Sequence, residues 1–198
     1  MASRDSGEGV AHLAGNARSR ILETAYDLFS HDGIRAVGID KIIAEAGIAK
    51  ATLYRHFASK QDLVLAFLEL REQRWTREWL EGESERRAAR PQECVFTVWD
   101  TLDDWFHRSD YEGCSFINTL LEISDAESAI HRGAAHHLAV VRKTLERYAR
   151  QAGTKDPQEM GYQLQVLMMG AIVSACGGDL DAARRAQDFA GHLIAIER

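Results

Sequence analysis

The chain of 198 residues is poor in proline, with only Pro91 and Pro157. Both stand close to the start of a helix-like segment, where proline is tolerated. Long stretches without proline or turn clusters point to an all-helical chain. No segment alternates apolar and polar residues at the period of a strand, and no internal repeat is visible. Cysteine is scarce too. Cys94, Cys114 and Cys176 are odd in number, far apart and without any CxxC spacing, which argues against a zinc ribbon or a disulfide framework. A reduced, cytoplasmic compartment is the expectation. No apolar run approaches the ~20 residues that span a bilayer, so no membrane partner is expected. Residues 1–16 lack the apolar centre of a signal peptide and read as a flexible tail.

Positive charge is short overall, and the net charge is −6. Taken alone, that value argues against a nucleic-acid partner. The distribution reverses the inference. Residues 17–60 hold seven basic and five acidic side chains, whereas 61–198 hold 16 basic and 23 acidic. The basic excess falls on a short segment, and placement of charge matters more than its total.

A hydrophobic content of 45% supports a sizeable core. Helical periodicity predicts a helix over 17–31, capped by Asn16, with Ile21, Ala25, Leu28 and Phe29 on one face. Two short helices follow over 39–46 and 50–57, joined at Gly47. Ser59 with Asp62 marks the start of a fourth, which continues towards Leu80. The charged stretch 81–91 reads as a linker. Further helices are expected over 92–106 and 116–123, then from a Ser124–Glu127 capping box to Gly153. Asp156, Pro157 and Glu159 give a strong start signal for a helix over 157–176 that is apolar nearly all round. A last helix covers 179–196.

Within 50–60, Lys50, Thr52, Tyr54, Arg55, His56 and Lys60 bring hydroxyl, imidazole and cationic groups suited to phosphate oxygens. Lys50 and Arg55 are long enough to read guanine edges in a major groove. Composition alone is better met by a solvated helix face. Catalytic readings are weak. Cys114, His107 and Asp103 lack any surrounding nucleophile motif, and a buried inert thiol accounts for Cys114. His136 and His137 are adjacent, so they diverge by about 100° on a helix and chelate poorly. They are expected on a solvated face beside His131. No cofactor or metal is expected.

The order of residues discriminates further. The segment GIAKATLYRHFASKQDL, with Gly47-Ile48, Thr52-Leu53-Tyr54, His56-Phe57, Ser59-Lys60 and Leu63, resembles the helix-turn-helix of the TetR family of transcriptional regulators. Two departures stand out: Gly38 where many relatives carry a hydroxyl residue, and Ile43 where many carry alanine. The resemblance implies an all-α fold, with an N-terminal three-helix helix-turn-helix domain over 17–63 and a larger C-terminal helical ligand-binding and dimerisation domain over 64–198. It implies a homodimeric repressor that binds a double-stranded DNA operator and answers to a small-molecule effector; a helical small-molecule binder that never touches DNA is the alternative. The DNA-facing set is Lys41, Lys50, Ala51, Thr52, Tyr54, Arg55, His56 and Lys60. Candidate effector-pocket residues are Trp99, Leu102, Trp105, Phe106, Phe116, Asn118, Leu120, Leu138 and Val141. A dimer face would use Leu164, Leu167, Met168, Ala171, Ile172, Ala186, Phe189 and Leu193.

Overall fold

A computed structural model describes residues 6–197, with side chains described from residue 17 onward. Among the described residues every regular element is helical. Helix α1 spans Ser6–Asp32. It therefore starts upstream of the predicted Asn16 cap, and residues 1–5 of the expected tail lie outside the described residues. Gly33, at φ 83°, closes its C-terminus. Helices α2 (Ile39–Ala46) and α3 (Lys50–His56) follow. Helix α4 (Lys60–Arg71) is capped by the Ser59 hydroxyl, which accepts from the Asp62 N–H at 3.1 Å.

From Glu72 to Glu81 the same helix is wound as a π-helix, and it re-forms as α5 (Gly82–Arg87). The expected linker at 81–91 is therefore mostly helix. Its charges pair locally: Glu83 accepts from Arg86 and Arg87, three and four residues ahead. Ser84 is fully buried and donates to the Leu80 carbonyl at 2.6 Å. Only residues 88–90 separate this helix from the short 3₁₀ turn Pro91–Glu93 and α6 (Cys94–Phe106).

Helix α7 covers Ser115–Glu122 and α8 covers Ala129–Ala152. The predicted Ser124–Glu127 capping box does not form. Residues 125–128 make a turn closed by Ser128 N–H to Asp125 O at 3.0 Å, and Ser128 caps the helix instead. Asp156 caps α9 (Pro157–Cys176) as predicted, accepting from the Glu159 N–H. Helix α10 (Ala182–Glu197) ends the described chain. Helix α8 packs on α4, α7 and α9, while α10 lies against α6 and α9. The core is continuous from α1 to α10. Phe67 of α4 meets Tyr26 and Phe29 of α1 edge-on at 5.6 and 5.5 Å, so the first three helices sit directly on the larger body.

No helix among the described residues is long and apolar enough to cross a membrane. The α9 sequence, apolar nearly all round, nevertheless leaves one face bare: Val166 is 70% exposed and Val173 55%.

Candidate nucleic-acid interface

The turn between α2 and α3 is set by backbone chemistry. Gly47 adopts φ 59°, ψ 46°, a left-handed conformation open to glycine at little cost. Its N–H bonds to Ala44 O, and the Ile48 N–H reaches back to Ile43 O, both at 3.2 Å. This is the Schellman arrangement, which draws the flanking apolar residues together. Ile43 and Ile48 both pack on the core, so the larger side chain at position 43 fits the turn. Gly38 precedes α2 in an extended conformation with no side-chain cap, as its missing hydroxyl requires.

Leu53 is fully buried and Phe57 nearly so, and together they anchor α3. The Arg18 guanidinium lies over the Phe57 ring at 5.0 Å. With its inner face fixed, α3 turns Lys50, Ala51, Tyr54 and Arg55 outward. Tyr54 is 44% exposed. Lys50 pairs with Asp40 at 3.3 Å, and both side chains are well exposed. Such a contact is worth little and is readily exchanged. Thr52 and His56 are half-buried, and the His56 Nε2 atom is buried without a partner.

The other two cations of the predicted set are engaged by the protein. Lys41 pairs with Asp32 at 2.6 Å, and that ammonium holds the Asp32 carboxyl below its ordinary range. Lys60 donates to Ile34 O at 2.6 Å, and burial pushes its ammonium below the usual lysine range, although Glu122 acts in the opposite sense. Lys60 thus holds the α1–α2 loop, with two of its three donor positions left over.

The body differs more from expectation. Trp99, Leu102, Phe106, Phe116, Leu138 and Val141, predicted to line an effector cavity, are buried as packed core. Leu120 is half-buried, and Asn118 is exposed with its amide on Glu112 O at 3.5 Å. Trp105 alone of these nine borders a described cleft. Two broad, open clefts lie elsewhere: one of about 470 Å³ between the π segment and α8, and one of about 490 Å³ between α1 and α4. The predicted dimer face also divides. Leu164, Met168, Ala171, Ile172 and Ala186 are buried within the protomer, because they fill the seam between α9, α10 and their neighbours. Leu167 and Leu193 are half-buried, and Phe189 is 64% exposed. Tyr162, Val166, Val173 and Ile196 join Phe189 as exposed apolar groups that the prediction omitted.

His137, expected at the surface, is buried. Its Nδ1 lies 2.6 Å from Glu72 Oε2, and its ring stacks on Phe116 at 5.2 Å. Burial pushes the Glu72 carboxyl up, but the His137 and Arg77 hydrogen bonds outweigh that, leaving it below the ordinary range. Cys114 is buried, and burial raises its thiol, in keeping with an inert role. Sequence reasoning also missed the ties between the first helices and the body. Arg71 donates to the Tyr26 hydroxyl at 3.0 Å, Arg74 forks onto Glu23 at 2.5 and 2.8 Å, and the Arg35 N–H donates to Glu122 at 2.8 Å. A signal was available: Glu23 and Tyr26 are three residues apart, as are Arg71 and Arg74.

A tightly turned helix pair, with its second helix locked by apolar residues and presenting cations outward on a larger helical body, defines a helix-turn-helix regulator architecture. Residues 21–67 match the family model for bacterial regulatory proteins of the tetR family. An HTH-type transcriptional regulator of Staphylococcus aureus (strain USA300) is 46% identical over 46 residues. That match covers 23% of this chain and a quarter (25%) of the relative's length. Over nearly the whole length the fold is similar to SCO4454, a TetR-family transcriptional regulator from Streptomyces coelicolor, with a TM-score of 0.82 and 30% identity. This likeness covers 92% of this chain and 96% of that one. A TetR transcriptional regulator from Chloroflexus aurantiacus shares the fold at a TM-score of 0.77 and 21% identity, covering 93% and 96% of the two chains. The chain belongs to the TetR family of transcriptional regulators.

Proposed function

We propose that this chain is a cytoplasmic, homodimeric repressor that binds a near-palindromic double-stranded DNA operator and leaves it when a small-molecule effector binds. The observation that carries the reading is α3: Leu53 and Phe57 fix its inner face while Lys50, Ala51, Tyr54 and Arg55 stand outward. Residues 17–63 would enter the major groove, and 64–198 would supply dimerisation and effector control. Tyr54, Thr52, His56 and Lys60 serve phosphates and register, whereas Lys50, Ala51 and Arg55 read base edges. Lys41 supplies charge at the flank.

Support for the dimer comes from the bare apolar face of α9 and α10, where Val166, Val173, Phe189 and Ile196 are each more than half exposed. A second copy that buries this face by a twofold operation would set two α3 helices in successive major grooves, roughly 34 Å apart. An effector that favours a different separation lowers DNA affinity by its preference between the two states.

The test is retention of duplexes selected from a random pool, measured at several salt concentrations. Specific and steeply salt-dependent retention is expected. Lys50→Ala and Arg55→Ala should change sequence preference as well as affinity, while Tyr54→Phe and Lys60→Ala should weaken all sequences alike. Absence of any selected duplex would refute the reading.

A further inference from the structure

Where α1 meets the body, two guanidinium groups lie over the Tyr26 ring. The guanidinium carbons of Arg71 and Arg74 lie 5.6 and 5.0 Å from its ring centroid. Beside this stack three indoles pack on one another: Trp75 is 5.2 Å from Trp105, and Trp79 is 5.6 Å from both. Together these groups border a cleft of about 160 Å³. That is room for one aromatic ring, since a cavity of about 150 Å³ holds benzene.

The polar part of the wall is guanidinium, and each guanidinium is already occupied by a carboxylate of the protein. Arg108 forks onto Asp110 at 2.6 and 2.8 Å. Arg71 pairs with Glu112 at 3.3 Å, has a side chain only 8% exposed, and also holds the Tyr26 hydroxyl. Arg74 is different. Its partner Glu23 belongs to α1, and the two side chains are 39% and 48% exposed. An ion pair so exposed is weak, and although Arg108 and Asp110 are more exposed still, at 55% and 65%, they lie two residues apart in one turn, so Glu23, carried by a separate helix, is the carboxylate free to leave. Trp75, another wall of the cleft, keeps a buried indole N–H with no acceptor.

We propose that this cleft binds a planar aromatic monocarboxylate, its ring against the indole faces and its carboxylate on Arg74 in place of Glu23. The planar guanidinium fork matches a carboxylate bidentately, so the incoming group reproduces the bonds it displaces. Once Glu23 is displaced, three arginines face only two acids, Asp110 and Glu112, in the lining, which favours an anion over a cation. The exchange also has a consequence at a distance. Glu23 is one of the ties that hold α1 to the body, and its release loosens the helix on which α2 and α3 are mounted. The binding site stands on the cleft alone; only this regulatory consequence rests on the operator-binding reading above.

The probes are benzoate, its neutral isostere benzamide, and benzylammonium, titrated into the full-length protein by calorimetry and by tryptophan emission. Benzoate is expected to bind saturably, with benzamide and benzylammonium at least about tenfold weaker, the factor that one charge-assisted hydrogen bond supplies. Arg74→Gln should weaken benzoate by about the same factor. Glu23→Gln, at an exposed position that leaves folding intact, should tighten benzoate by about two- to fivefold because the internal competitor is gone. Equal binding of benzoate and benzamide, no saturable binding of benzoate, or unchanged affinity in Glu23→Gln would each overturn the proposal. Retention of a selected duplex is measured without ligand first. If the protein retains no duplex, the regulator reading fails while the binding site is judged on calorimetry alone. If it retains DNA and saturating benzoate leaves that retention unchanged, the coupling through Glu23 is overturned.

Discussion

Replacing His137 by phenylalanine isolates one polar contact inside the body. Glu72 and His137 are each 9% exposed, and their contact is 2.6 Å long. A carboxylate only accepts, so the Nδ1–H donates. Phenylalanine fills the same space and keeps the stack on Phe116, but it leaves Glu72 Oε2 without its donor. Breaking a buried ion pair from one side costs roughly 3–5 kcal/mol. Here Arg77 still holds Oε1, from 2.5 and 2.8 Å, so the loss should fall to about 2 kcal/mol, near that of one hydrogen bond to a charged group. For a chain of this size, that is a fall in Tm of about 4–8 °C. Glu72→Met combined with His137→Phe removes the charge together with its donor and should lie within about 1 kcal/mol of the parent. The pH dependence follows from the carboxyl being held below its ordinary value of 4.5. A depressed folded-state value contributes stability in full above 4.5 and loses it as pH falls through the folded value, so the gap between parent and His137→Phe narrows in acid. Urea unfolding at several pH values measures all three proteins. A double variant less stable than His137→Phe alone would refute the reasoning, because the two residues would then act independently.

Gly47→Ala meets no atom within 4 Å, so only its left-handed backbone opposes it; a loss of about 1–2 kcal/mol and weaker retention of selected DNA are expected, checked by thermal melting and by mobility shift. An unchanged Tm would mean that the α2–α3 turn carries no strain for alanine. Phe189→Asp places a charge on the bare face of α10 and should yield a monomer by sedimentation; a persistent dimer would place the twofold contact elsewhere. Arg86 and Arg87 hold the Glu83 carboxyl down at about 2, so its contribution is present above 4.5 and lost between there and about 2. Glu83→Gln should therefore flatten the acid limb of the Tm–pH curve, and a limb that kept its slope would assign the loss to other carboxylates.

The turn between α2 and α3 and the start of α4 were legible because local chemistry decides them. Gly47 fits a left-handed turn, Ser59 and Asp62 make a cap, and Ile42, Leu53 and Phe57 fall at the spacings that bury them. The body was legible as helices but not as surfaces. Periodicity shows that α9 is apolar on most faces, yet the division between the protomer's own core and the outside depends on what packs alongside. Leu164, Met168 and Ile172 point inward and Val166 and Val173 outward, although the five side chains are chemically alike. The same holds for the candidate pocket residues. Large apolar residues on α6 and α7 mark a filled core as readily as an empty one, and only the packing distinguishes them. The helical stretch 82–87 was missed because its charges read as a linker until Glu83 is paired with Arg86 and Arg87 and Glu85 with Arg147 of α8.

The π winding between Glu72 and Glu81 left a trace that helical periodicity does not use. Arg77 donates to Glu72 and Gln73 donates to Glu78, two complementary pairs each five residues apart. In an α-helix, residues five apart diverge by about 140° and cannot meet across one face. In a π-helix the backbone bond itself spans five residues, so the same side chains are brought together. Pairs at this spacing therefore favour the wider winding over the α form, and they do so in the part of the long helix that also carries Trp75, Trp79 and Arg74. The winding and the Arg74–Glu23 tie thus occupy the same segment, the stretch of the long helix that bonds to α1.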